Sequence, residues 1–207
     1  MGQYYHATVL KQNWKNEQKP VEASLSPYDY DNGAKLMEHS YVHNNYVEAA
    51  MRMIDIVGQG KAVPFVWIGD YADKVETNVY PFDGTVNEYN EPNGGVDIYS
   101  ETYELVDNNK PLMEAIANHK PKSFKYIVNE TKKCFVKIPR YNKDKWTLHP
   151  LPILCSSGNG RGGGDYCGSL NENSVGLWAY DEIRVTNTKP DQYEYQDGGW
   201  VLEDDEW

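Results

Sequence analysis

Asn44-Asn-Tyr-Val-Glu-Ala-Ala-Met-Arg-Met-Ile-Asp-Ile-Val-Gly58, followed after four intervening residues by Val63-Pro-Phe-Val-Trp-Ile68, sets the fold class of this chain. In the first stretch Val47, Ala50, Met51 and Ile54 recur at i, i+3, i+4 and i+7, the buried stripe of an amphipathic helix. Leu36, Met37 and Ser40 make an earlier turn with similar spacing, so Ala34 to Val57 reads as helical. His43-Asn-Asn45 interrupts that region, and Asn44 has the side chain of an N-cap, so two short helices or one kinked helix are expected. Gly58 and Gly60 end it, since glycine tolerates the left-handed turn that closes a helix. Ala62 to Ile68 has the Val, Phe and Trp content of a strand buried on both faces, and it empties into Gly69-Asp-Tyr-Ala-Asp73.

Upstream, Gln3 to Gln12 alternates Tyr4, His6, Thr8 and Leu10 against Tyr5, Ala7 and Val9, a strand pattern. Residues 13–20 are polar and end at Pro20, and Val21 to Leu25 reads as the returning strand of a hairpin. Ser26 to Gly33 is a loop by its Pro, Asp, Asn and Gly content. Downstream, residues 74–100 carry Pro81, Gly84, Pro92, Gly94 and Gly95 and read as a long excursion or flap, a length uncommon without a function or disorder. Leu112 to Asn118 makes a short helix begun by Pro111. Phe124 to Asn129 and Lys133 to Ile138 make a hairpin around Glu130-Thr-Lys132. Trp146 to Leu154 reads as extended, its prolines suggesting a sheet edge. Val175 to Tyr180 and Ile183 to Thr186 close the ordered part. Hairpins without regular βαβ alternation imply an α+β fold, mainly an antiparallel sheet with two or three short helices packed on it. One domain is expected over residues 1–189, followed by an acidic tail over 190–207.

The 207 residues include 31 acids against 20 Lys and Arg, a formal charge of −11 that opposes direct binding to a nucleic-acid backbone. Seven of those acids lie from Asp191 onward, where there is no Lys or Arg, leaving 24 acids against 20 bases before it. The excess is therefore largely a property of the tail. Mean hydropathy is −0.74 and no apolar run approaches the roughly 20 residues of a membrane span, so no membrane partner is expected. The first residues show no secretory signal, which makes the cytoplasm the expected location. Cys134, Cys155 and Cys167 are expected as reduced thiols, and the five histidines show no metal-ligand spacing, so neither metal nor cofactor is expected.

The most informative segment for chemistry is Ser156-Ser-Gly-Asn-Gly-Arg-Gly-Gly-Gly-Asp-Tyr166. Gly158, Gly160, Gly162, Gly163 and Gly164 expose backbone amides that can form an anion-binding nest. Arg161 adds a planar fork suited to phosphate or carboxylate, and Asp165 an acceptor for a ribose hydroxyl or an amino group. Asn159 and Tyr166 belong to the same candidate ligand loop. The alternative is an internally bonded loop in which Arg161 pairs with Asp165 or Asp181. The loop is neither a Walker A sequence nor a dinucleotide fingerprint. Asp70 and Tyr71 follow the buried strand, where open sheets place ligand-contacting groups. Asp70 reads as a general base or ligand anchor, or as a turn cap. Glu38-His39 offers a base beside a carboxylate, or a histidine holding a backbone carbonyl. His149 stands before Pro150 and has local hydrogen bonding open to it. Trp178 suits stacking on a base, or a place in the core.

Met1-Gly-Gln-Tyr-Tyr5, Gly33-Ala-Lys-Leu-Met-Glu-His-Ser40, Trp67-Ile-Gly-Asp-Tyr-Ala72, Val128-Asn-Glu-Thr-Lys-Lys133, His149-Pro-Leu-Pro-Ile-Leu154 and the glycine-rich block resemble a family of uncharacterised proteins. Its members occur in phages and in gut and soil bacteria. The resemblance runs in blocks over most of residues 1–185; it implies a phage context and brings no activity or site residue. Three functions remain open on the sequence. The leading one is binding of a nucleotide-like or other anionic small molecule, which in a phage would sequester a signalling nucleotide of host defence. The second is an enzyme on a phosphorylated or nucleotide-derived substrate, with His39 or Asp70 as base and Arg161 as anion stabiliser. The third is an acidic inhibitor that occupies a host nucleic-acid-binding protein.

Overall fold

Tyr5–Leu10 (β1) and Val21–Leu25 (β2) form the expected antiparallel hairpin in a computed structural model of the chain, which describes residues 3–141, 147–159 and 174–198. The interruption at His43 divides the helical region into Leu36–His39 (α1) and Asn45–Gly58 (α2). Asn44 caps α2, its side-chain oxygen accepting from the amides of Tyr46 at 2.9 Å and Val47 at 3.3 Å. Val63–Gly69 (β3) is buried along its whole length and pairs antiparallel with β1. Ile98–Asp107 (α3) and Lys110–Asn118 (α4) follow the excursion, and Tyr126–Asn129 (β4) and Cys134–Lys137 (β5) make the second expected hairpin. Pro150–Cys155 (α5) leads into Ser156–Ser157 (β6), and Glu182–Thr186 (β7) and Glu194–Tyr195 (β8) complete the sheet.

The strand order is β2-β1-β3-β7-β4-β5-β8, with β6 parallel to β3 beside Trp67 and Ile68. Alternation along the central strands divides the core. Tyr5, Ala7, Val9, Val63, Phe65 and Trp67 pack with the Val47, Ala50, Met51 and Ile54 stripe of α2. Leu10, Val66 and Ile68 turn to the opposite face, where Trp14, Ile98 and Tyr99 cover them. The Tyr46 hydroxyl anchors α2 to the first hairpin, accepting from the Ala7 amide at 2.8 Å and donating to the Leu25 carbonyl at 2.9 Å. The fold is the expected α+β class with a mostly antiparallel sheet; of the five helices among the described residues, α2, α3 and α5 pack against its strands and α4 packs against α2.

Three local expectations change. The polar excursion ends at Asp97, whose carboxylate caps α3 by accepting from the Ser100 amide at 3.0 Å. Residues 150–155 are helical, not extended: the first amides of a helix have no internal partner, so Pro150 and Pro152 there forfeit no hydrogen bond. The segment after residue 190 begins bound to the sheet edge, where the Gln196 amide donates to Phe135 at 2.9 Å. Among the described residues no helix is long and apolar enough to cross a membrane.

Candidate functional site

The parallel pairing of β6 with β3 sets two strand ends side by side, Gly69-Asp70-Tyr71 and Gly158-Asn159. The N-terminal segment ties them together. Gln3 Nε2 donates to the Asn159 carbonyl at 3.3 Å, and the Asn159 amide donates back to Gln3 Oε1 at 3.0 Å. One residue along, the Tyr4 amide donates to Asp70 Oδ1 at 3.0 Å. A Cβ at Gly158 would stand 2.2 Å from Gln3 Oε1, so a larger residue there must displace the Gln3 side chain from Asn159. Tyr71 is exposed beside them. Asp70, Tyr71, Gly158 and Asn159 are therefore neighbours, and Asp70 carries a turn-holding bond. Gly160, Arg161, Gly162, Gly163, Gly164, Asp165 and Tyr166 lie outside the described residues, as does Cys167.

The other sequence candidates sit elsewhere. His39 is fully buried; Trp67 Nε1–H donates to its Nε2 at 2.9 Å, which leaves Nδ1 to donate to the Gly33 carbonyl at 3.0 Å. Burial lowers its pKa to about 4, so neither ring nitrogen is free to take a proton from a ligand. Glu38 accepts from the Lys35 amide at 3.0 Å, closing the first turn of α1, and its charge only partly offsets the effect of burial on His39. Trp178 is fully buried in the main core, with no face open for stacking. Cys134 and Cys155 are buried free thiols, pushed up by desolvation to about 11 for Cys134 and well above the ordinary value for Cys155.

A cleft of about 600 Å³ opens between the start of α2, the segments at the start of β4 and the end of β5, and the turn before α5. Its inner wall is Val42, Met51, Phe124 and His149, and its mouth carries Lys125, Lys137, Arg140 and Tyr141. Backbone pairing builds the inner end: the Val42 amide donates to Thr147 at 3.0 Å, and the His149 amide donates to Ser40 at 2.9 Å. His43, held at φ 67°, presents its ring to the edge of Tyr141 at 5.2 Å. Glu48 is the carboxylate in the lining, and Arg52 at 3.5 Å and His43 at 3.5 Å sit against it. Lys125, Lys137 and Arg140 have no carboxylate within ion-pair distance among the described residues.

These cations were missed in reading the sequence, although a signal exists. Nine of the 20 Lys and Arg fall between Lys120 and Lys145, against the two acids Glu130 and Asp144. An acidic protein thus carries one strongly basic segment, and part of it rims a concavity. Such an arrangement can hold an anion by point charges and by the Arg140 fork. Among the described residues no group of three or more His, Cys, Asp or Glu is placed to hold a metal ion. Comparison with protein-family models, curated proteins and solved structures gives no match.

Proposed function

We propose that the protein binds an anionic small molecule of the phosphorylated or nucleotide-like class in the cleft beside α2. The observation that supports this is the trio Lys125, Lys137 and Arg140, which line one concave site and, among the described residues, have no carboxylate partner, in a chain of charge −11. Lys11, Lys19, Arg52, Lys132, Lys133 and Arg184 pair with acids among the described residues, and what sets Lys125, Lys137 and Arg140 apart from the other unpaired cations is that they share one mouth. Three left unpaired at one mouth raise the local potential and draw anions to it. A mouth of this size suits a small ligand better than a duplex, which requires an extended basic face.

Isothermal titration with pyrophosphate, AMP and citrate at low salt tests the reading. Saturable binding of at least one is expected, weakened at least tenfold by the double variant Lys137→Glu, Arg140→Glu and weakened by raised salt. Both side chains are exposed, so the variant retains its thermal midpoint. No binding by the wild-type protein, or binding indifferent to the charge reversals, defeats the proposal. If binding survives them and is lost in Arg161→Ala, the anion belongs to the glycine-rich segment instead.

A further inference from the structure

Among the described residues three buried side-chain polar atoms lack a hydrogen-bond partner: the Tyr30 hydroxyl, Trp178 Nε1 and His149 Nε2. Only His149 borders the cleft. Its tautomer follows from the sequence around it. Pro150 has no amide hydrogen, so the first free amide of α5 is that of Leu151, which donates to His149 Nδ1 at 3.2 Å. Nδ1 must then carry its lone pair, and the ring proton sits on Nε2. His149, a lining residue 2% exposed, therefore carries one buried N–H donor, and no described residue accepts from it.

We infer that the ligand of this cleft is an amphiphilic organic anion: its charge meets Lys125, Lys137 and Arg140, its apolar body lies along Val42, Met51 and Phe124, and a neutral acceptor at its far end takes the Nε2–H of His149. This rests on the cleft being the anion site. The polarity runs one way, from an exposed cationic mouth to a buried apolar wall. A compact inorganic anion engages the mouth alone and leaves the inner donor unmet. A second charge at the inner end is disfavoured too, because burial, with His43 nearby, depresses His149 to about 3 and holds it neutral. What a neutral N–H in an apolar setting reads is a carbonyl, ether or ring-nitrogen acceptor, and a site built to hydrogen-bond discriminates against a ligand that lacks the acceptor.

The test compares two carboxylates of nearly equal shape, 4′-acetylbiphenyl-4-carboxylate and 4′-isopropylbiphenyl-4-carboxylate, by isothermal titration. The wild-type protein is expected to bind the acetyl compound about tenfold more tightly. His149→Asn should erase that preference, because asparagine keeps an oxygen for the Leu151 amide but is too short to present a donor at the Nε2 position. The wild-type comparison stands even if the variant folds poorly. Equal affinities for the two compounds, or a preference that persists in His149→Asn, overturn this inference and leave anion binding at the mouth intact. If neither compound binds while pyrophosphate or AMP does, this inference falls and anion binding at the mouth stands; if both bind equally well to the Lys137→Glu, Arg140→Glu protein, the cleft is not the anion site and both readings fall.

Discussion

His39 and His149 are equally hidden from water, and their difference lies in what their second nitrogen meets. His39 Nε2 accepts from Trp67 Nε1–H while Nδ1 reaches the Gly33 carbonyl, so its ring is a bridge between β3 and the loop before α1. Replacing it by phenylalanine keeps most of the volume and strands both partners in the core. His39→Phe should cost about 2–4 kcal/mol in urea unfolding, the sum of two unmet buried groups. A loss below about 0.5 kcal/mol would show that water reaches Trp67 and Gly33, and the bridge would lose its importance. The pair Glu38-His39 allowed both a catalytic and a structural reading because the deciding partner, Trp67, is 28 residues away in sequence. By contrast, the local bonding open to His149 was legible, since its partner is two residues on.

Elements whose stripe and cap agree were readable in advance, and those with one signal were not. α2 joins a four-residue apolar stripe to an asparagine cap, and the structure has both. α3 buries only Ile98, Tyr99 and Thr102 and follows a glycine-rich stretch, so its periodicity is too short to stand out from the excursion before it. α5 was hidden by prolines, which weaken a helix in its interior and are harmless in its first turn. The importance of the cap on α2 is open to measurement. Asn44→Ala removes the acceptor from the Tyr46 and Val47 amides, and a loss of about 1 kcal/mol in chemical denaturation is expected. Unchanged stability would mean that water caps this end as well as the side chain does. The Tyr46 hydroxyl holds both strands of the first hairpin, so fraying at Asn44 should also loosen hydrogen-exchange protection at Ala7.

Across the whole molecule, charge was legible as a total and illegible as a pattern in space. The cleft draws on residues 42–51, 123–126, 137–141 and 149, which the fold alone brings together. The basic stretch from Lys120 to Lys145 is written in the sequence and went unread, and its concave setting is not written there at all. One global property follows from burial and not from net charge. His6, His39 and His149 sit in three parts of the fold, and desolvation depresses them to about 4, 4 and 3 from an ordinary 6.5. Above pH 6.5 each is neutral whether the chain is folded or not, and the folded state keeps its full stability. As pH falls below that value the unfolded chain gains protons that the native histidines refuse, so unfolding becomes easier, by up to about 1.4 kcal/mol per pH unit for each histidine. The loss runs from pH 6.5 down to about 4, where the first of the native histidines begin to charge. Calorimetric unfolding at pH 5.5, in buffers of different ionisation heat, should register an uptake of between about two and three protons from these groups. An uptake near zero, with a thermal midpoint flat between pH 7 and pH 5, would mean that the folded protein already carries these imidazoles charged. The neutral donor assigned to His149 would go with it.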